Sequence, residues 1–378
     1  MTESNYATSH PKLLISTKRF EQSPYAEKYA REDTVFGLYC RRFYPLSLGE
    51  DVIAQYWKLR RGVLLFDVPE KPLDIKGPDA VALLERVFTR RISDLKTWRA
   101  RYAIACTHEG GILMDGVLIR LAEDHFWYVQ ADGEFESWLL AYAEGLDVQV
   151  SDPKSRVLQI QGPKALEVLQ QATGGQVPQD FGYFHAGQFT FGNQQLLVTR
   201  TGWTGELGWE IYCNGESTDH FALWDHLLDS GKDFDMTFSS AESMGVRRIE
   251  AGILDYGTDI DISMTPYAAG VGAFVDLSRP DYVGRNALAI ADKTCLLLGL
   301  SCDTATPFAG LKVLDGDKVV GQMTAGAWTP FLNRGIGFVR FSAVEDWLGR
   351  KLSLAGRDGN RHPCDIVSLP FYDAEKKI

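Results

Sequence analysis

Apolar side chains at Val52, Ile53, Tyr56, Trp57 and Leu59 recur at helical spacing, so residues 51–61 are expected to form a helix. The apolar run 62–68 is too short for a helix, and 73–77 alternates apolar and polar positions; both read as strands. Residues 78–88 carry an apolar stripe with Pro78 at the first turn, where a missing N–H leaves no helical bond unmade, and a helix is expected there. The pattern then returns to period two. Strands at 102–106, 117–121 and 126–129, with Gly110-Gly111 as a turn, make a meander. A helix over 134–145 and a strand over 155–161 follow, then strands at 189–199 and 208–212 and a helix at 221–228. Ahead of all these, residues 1–31 are polar and irregular, and 35–39 is a short apolar segment.

Two stretches share one grammar. Asp74-Ile-Lys-Gly-Pro78 and Gln159-Ile-Gln-Gly-Pro163 each end a strand and open a helix, which points to an internal duplication at the level of topology. From 297 to 369 the texture changes to short strands broken by Gly310, Gly316, Gly321, Gly326 and Gly335. Such punctuation predicts a separate all-β domain, a small barrel or sandwich.

Composition narrows the function. The chain has 378 residues, 45% of them apolar, enough for two or three cored domains. Neither a signal-length apolar core near Met1 nor a run of eighteen apolar residues is present, so a cytoplasmic protein without a membrane partner is expected. The net charge of −11 argues against a nucleic-acid surface but leaves room for a local basic patch that holds an anionic tail. Six cysteines without a C-x-x-C pair suggest reduced core residues rather than a zinc knuckle or disulfide framework, and the seven histidines show no ligand spacing, so no metal is expected. A monomer or homodimer acting on a small molecule fits these bounds.

The richest chemistry lies in Thr201-Gly-Trp-Thr-Gly-Glu-Leu-Gly-Trp-Glu-Ile-Tyr212. Three glycines let a backbone bend or pass close to a flat ligand, and Glu210 follows on a strand. A carboxylate held there can accept two bonds from an amino-heterocycle such as a pterin. The plain alternative is a glycine-rich hairpin with a surface glutamate.

Together with Phe66-Asp-Val68, Gly110-Gly-Ile-Leu-Met-Asp115, Gln161-Gly-Pro163, Arg248-Ile-Glu-Ala-Gly252, Thr265-Pro266 and Tyr282-Val-Gly-Arg285, this stretch resembles the folate-dependent aminomethyltransferase family of the glycine cleavage T-protein, in the family's order. Within it the chain is most similar to the branch that demethylates dimethylsulfoniopropionate. The resemblance implies an α+β, three-domain cloverleaf: two sandwich-like domains with mixed antiparallel sheets and a C-terminal small β-barrel. It implies a folate-binding domain from 1–50 and 151–240, a second from 51–150 and 241–285, and the barrel from 286–378. Tetrahydrofolate would stand in a central channel as methyl acceptor, with Glu210 on the pterin edge, Trp203 and Tyr212 walling the channel, Tyr102 and Arg285 also on the folate, and Asp115 catalytic. By spacing alone, Asp115-Gly116 also reads as a turn between strands.

The sequence departs from the T-protein pattern where the donor is chosen. Met244 stands in place of the arginine of Gly-Ala-Arg-Asp, and Trp203 in place of a tyrosine. Lys18-Arg-Phe-Glu-Gln-Ser-Pro-Tyr25 and Thr34-Val-Phe-Gly-Leu-Tyr39 resemble the demethylase entry segment, which places Tyr25 and Tyr39 at the donor. A sulfonium or quaternary ammonium offers no N–H to bond, so aromatic faces are the efficient contact, and Tyr39, Tyr102, Tyr183, Phe184, Trp203 and Trp328 are candidates. A small sulfonium or methylated amine is therefore the expected donor, and 5-methyltetrahydrofolate the expected product. The alternatives are the aminomethyltransferase of glycine cleavage and, less favoured, a folate-binding iron–sulfur repair protein, whose Lys-Gly-Cys-Tyr segment is replaced by Pro280-Asp-Tyr-Val-Gly-Arg285. Arg248 is expected either in an ion pair with Glu250 or Asp255 or on a ligand carboxylate.

Overall fold

The computed structural model describes residues 19–372, so the expectations for Lys18 and the rest of 1–18, and for 373–378, lie outside the described residues. The helix expected at 51–61 is Val52–Arg61, and it starts where it does because the Asp51 carboxylate accepts from the N–H groups of Ile53 and Ala54. Those two bonds satisfy donors that the first helical turn otherwise leaves unpaired.

Three large β systems and one two-stranded hairpin, Val35–Tyr39 with Arg42–Ser47, organise the described residues. The first is a six-stranded sheet in the order Ala186–Phe191, Gln194–Thr199, Gly208–Tyr212, Val157–Gln161, Leu64–Val68 and Thr237–Phe238. Its pairings are antiparallel except the last, which is parallel. The second is an antiparallel five-stranded sheet in the order Arg99–Cys106, Ile112–Ala122, His125–Gln130, Lys71–Lys76 and Gln149–Ser151, and it contains the expected meander. The third is a closed six-stranded barrel built from residues 297–367. The fold is α+β with a C-terminal barrel, as the sequence implied.

One boundary differs from the expectation. The resemblance places residues 51–150 as a block in the second unit, but Leu64–Val68 pairs with Val157–Gln161 in the first sheet, Phe66 opposite Gln159. The reason is its composition: all five residues of Leu64–Val68 are buried, which suits an interior strand.

Period two sorts each strand between two cores. Trp209, Ile211, Leu158, Ile160 and Leu65 point to an outer core shared with helices Ala165–Ala172 and His220–Gly231. The intervening residues face the other way. Tyr212, Val157, Leu64 and Phe66 meet Ile119, Val129 and Ala100 of the five-stranded sheet in a core between the two sheets. Glu210 and Gln159 alternate onto that same inner side, which is how two polar side chains come to stand between the sheets.

The duplicated grammar is real at the level of backbone. Both strand-to-helix corners turn on a glycine with positive φ, Gly77 at +142° and Gly162 at +127°. A Cβ on Gly162 would stand 2.4 Å from the Gly62 carbonyl oxygen. Gly162→Ala is accordingly expected to cost at least ~1–3 kcal/mol of stability, the range for a backbone forced into such a region, read from its denaturant midpoint against the parent protein.

One buried carboxylate ties the barrel and the segment after it to helix Val52–Arg61. Glu250, 0% exposed at the end of helix Ala241–Glu250, accepts from Tyr56 (2.7 Å), Thr329 (2.5 Å) and Tyr372 (2.8 Å). No helix among the described residues is long and apolar enough to cross a membrane.

Candidate active site

The inner faces of the two sheets, closed by the 252–256 loop and the tip of a hairpin, enclose a cavity of about 630 Å³. Glu210, Thr201, Gly202 and Trp203 line one side; Tyr102, Asp115 and Val117 come from the five-stranded sheet; Asp255, Tyr256 and Phe274 come from the segment after the glutamate helix; Tyr39, Tyr183 and Phe184 complete the apolar lining. Arg90, Arg99 and Arg101 line the same space, Arg90 donating to the Tyr102 carbonyl (2.9 Å) and Arg101 paired with Asp94 (2.5 Å).

Glu210 is 5% exposed and held by three donors, which leaves acceptor capacity on the carboxylate. It accepts from Thr201 Oγ1 (2.5 Å), Tyr212 Oη (2.7 Å) and Gln159 Nε2 (2.7 Å), and Thr199 bonds Thr201 behind it. Burial raises its pKa, while the donors from Thr201, Tyr212 and Gln159 oppose that shift. Gly202 and Gly208 serve this scaffold: a Cβ on either would meet the Gln161 side chain at 2.4 Å. These two glycines thus leave room for a buried glutamine, which in turn accepts from Thr204 (2.7 Å).

Asp115 lies inside strand Ile112–Ala122, opposite Ile104, so the Asp-Gly turn reading fails. The strand starts earlier than its apolar pattern announced because Asp115 lines the cavity while Met114 and Leu118 pack in a separate core with helix Ala80–Val87. Asp115 is 8% exposed; Oδ2 accepts from Tyr102 Oη (2.7 Å), and Oδ1 is buried with no partner. Burial pushes its pKa up to about 6, Asp255 adds to the shift, and the Tyr102 bond opposes it. Asp255 is itself raised by burial, against the pull of Arg248. A buried carboxylate oxygen without a donor, on a residue that lines a cavity, marks a functional-site candidate.

Of the residues singled out from sequence, the cavity gathers Asp115, Glu210, Trp203, Tyr102, Tyr39 and Tyr183. Tyr212 stands behind Glu210 rather than on the wall, where it orients the carboxylate. Other expectations are corrected too. Tyr25 belongs to the outer core, its hydroxyl against Cys213 Sγ (3.0 Å) and His220 Nδ1 (3.1 Å) and its ring stacked on Trp224, on the face of the sheet opposite Glu210. Trp328 sits in barrel strand Lys318–Thr329, opposite Gly335, away from the cavity lining. Arg285 opens helix Arg285–Ile290 and is spent on the carbonyls of Arg279 (2.6 Å) and Leu277 (3.1 Å). Arg248 pairs with Asp259 (2.6 Å), neither of the partners expected, and lies over the Trp203 ring at 5.0 Å.

Glu70, Tyr256 and Phe274 carry no signal in the sequence, and Asp255 reads there only as an ion-pair partner for Arg248; all four line the cavity. Glu70, Asp255 and Tyr256 lie within a few residues of a landmark and Phe274 lies eight from one, none in a pattern of its own; only the pairing of distant strands and the return of the 252–256 loop bring them to the cavity.

The donor set fits a reduced folate. A paired acceptor at Glu210, an apolar slot and three arginines match the pterin, ring and carboxylate tail of that molecule, and the orphaned Asp115 Oδ1 supplies an acceptor beside them. Among the described residues no cluster of His, Cys, Asp or Glu is placed to hold a metal.

Similarity to known proteins identifies the family. The GCVT N-terminal domain family matches residues 24–279, and the glycine cleavage T-protein C-terminal barrel domain matches 296–373. The chain is 28% identical over 340 residues to an aminomethyltransferase of Alkaliphilus oremlandii, covering 87% of this chain and 91% of that one. It is 34% identical over 296 residues to a dimethylsulfoniopropionate demethylase of Ruegeria pomeroyi, covering 74% and 79%. The crystal structure of the glycine cleavage system aminomethyltransferase T from Bartonella henselae superposes with a TM-score of 0.84 at 25% identity, over 94% of this chain and 98% of that one. The chain belongs to the folate-dependent aminomethyltransferase family of the glycine cleavage T-protein.

Proposed function

We propose that this protein transfers a one-carbon unit from a small cationic donor to tetrahydrofolate, with the reacting atoms beside Asp115. The observation that carries the reading is the unpartnered Asp115 Oδ1, buried in a cavity that also holds Glu210 and an aromatic lining. Glu210 would take the donor edge of the pterin, and Arg90, Arg99 and Arg101 would meet the carboxylates of the glutamyl tail. Tetrahydrofolate supplies the nucleophilic N5. Tyr102 fixes the Asp115 carboxylate so that Oδ1 faces the reacting centre, ready to receive the N5 proton. Asp255 adds negative charge near Asp115, and Tyr39, Tyr256 and Trp203 add aromatic faces, an environment that favours a cation over a neutral molecule.

Two donors fit that description, each supported by a different observation. Relatives named aminomethyltransferase support the aminomethyl reading and give it the broader backing. Met244 supports the onium reading: it is 1% exposed and packed with Leu59, Phe66 and Tyr212, so this chain puts an apolar side chain where the T-protein pattern has an arginine. Incubation with tetrahydrofolate and, in turn, dimethylsulfoniopropionate, glycine betaine, dimethylglycine and an aminomethyl-lipoyl carrier tests both by the mass of the folate product. Methyltetrahydrofolate identifies a demethylase, methylenetetrahydrofolate an aminomethyltransferase. Absence of any folate product with all four, while tetrahydrofolate binds, refutes transfer from these donors.

A further inference from the structure

Gln159 bridges two carboxyl groups. Its Nε2 donates to Glu210 Oε1 at 2.7 Å and to Glu70 Oε1 at 3.1 Å, so one amide spends both hydrogens on the pair. Gln159 is 0% exposed and its own Oε1 has no partner; Glu70 Oε2 is likewise buried and unpartnered. Both carboxyl groups line the cavity.

The two are not equivalent. Glu210 receives three donors, whereas the Glu70 carboxyl receives one. Two anions sharing one amide in a buried site repel, and the group with fewer donors is the one that keeps a proton. Burial, with the charge of Glu210 next, pushes Glu70 up to about 8. The other titratable groups facing Glu70 do not reverse this: Arg42, whose Nη1 bonds the Glu70 carbonyl, lowers it, Asp67 raises it, and Tyr39, Cys40 and Tyr212 are neutral groups with pKa values driven up by burial.

We infer that Glu70 is a second pterin-recognition residue, a neutral carboxyl that donates to the ligand beside the Glu210 carboxylate that accepts. The pair then presents acceptor and donor side by side, complementary to the amino-pyrimidinone edge of a pterin, which carries N–H donors next to a carbonyl acceptor. The inference rests on the folate reading of this cavity and adds to it a pH dependence located in one residue. Below about 8 the proton on Glu70 supplies the donor; above it a second anion faces the carbonyl of the ligand and binding weakens.

The test is tetrahydrofolate affinity, followed by quenching of intrinsic tryptophan fluorescence under anaerobic conditions between pH 6.5 and 9.5, for the parent protein and for Glu70→Gln. Glutamine keeps an N–H donor at all these pH values. The parent Kd is expected to rise roughly tenfold across the alkaline half of the range, and the variant to bind with near-parent affinity at pH 7 and change less than about twofold. Glu70→Leu, which has the bulk without the donor, is expected to bind weakly at every pH. A parent Kd that stays flat, or a glutamine variant that keeps the parent's slope, overturns the assignment of Glu70 while leaving the folate reading intact. Failure of the parent protein to bind tetrahydrofolate at any pH overturns both.

Discussion

Asp115→Asn is expected to lower turnover by about 100-fold or more, within the range for loss of a positioned acid–base group, while tetrahydrofolate affinity changes less than about threefold. Asparagine keeps the shape and can still accept from Tyr102, so the constellation stays in place and only the charge and the proton-accepting oxygen are lost. The pH profile gives an independent reading. The ionised form is the one that stabilises a cation and takes a proton, and burial has raised its pKa to about 6. Turnover of the parent enzyme should therefore be on its plateau above pH 7 and fall as pH drops through about 6. The asparagine variant should show no inflection there. Turnover matching the parent would reduce Asp115 to a strand residue that happens to face the cavity.

Glu210→Ala should weaken tetrahydrofolate binding by roughly 30-fold or more, because a buried paired acceptor contributes on the order of 2 kcal/mol. The same change strands the Thr201, Tyr212 and Gln159 donors, each of which now points at Glu210, so a lower melting temperature is expected as well. Glu210→Gln separates the two effects: it fills the space and can accept from part of the network, but it lacks the charge that strengthens bonds to the pterin edge. Its melting temperature should lie near the parent's while its affinity remains well below. Affinity within twofold of the parent in both variants would place the pterin elsewhere.

The sites differ in how legible they are from sequence because they depend on different ranges of the chain. Glu210 announces itself locally: a carboxylate two residues beyond Gly208, on a strand whose Trp209 and Ile211 fix which face is outward. Asp115 is only half legible, since Asp115-Gly116 suits a turn as well as a strand; what decides is the pairing of Ile112–Ala122 with both Arg99–Cys106 and His125–Gln130. Tyr25 shows the opposite failure. Its neighbours suggested a donor-binding aromatic, yet the short helix Ala26–Tyr29 packs on the outer core, and the sheet separates it from Glu210.

By itself, then, the sequence determined the helices with a clear apolar stripe, the meander, the β character of residues 297–369, and the family through landmarks spread over the whole chain. These follow from period and from local turn chemistry, which act over a few residues. Tertiary structure alone decided that Leu64–Val68 joins the first sheet, that Gln159 comes to lie between Glu70 and Glu210, and that Asp255 lines the same cavity as Asp115. Those contacts join residues far apart in sequence. They are fixed by which buried faces close on each other, and no local pattern records that choice.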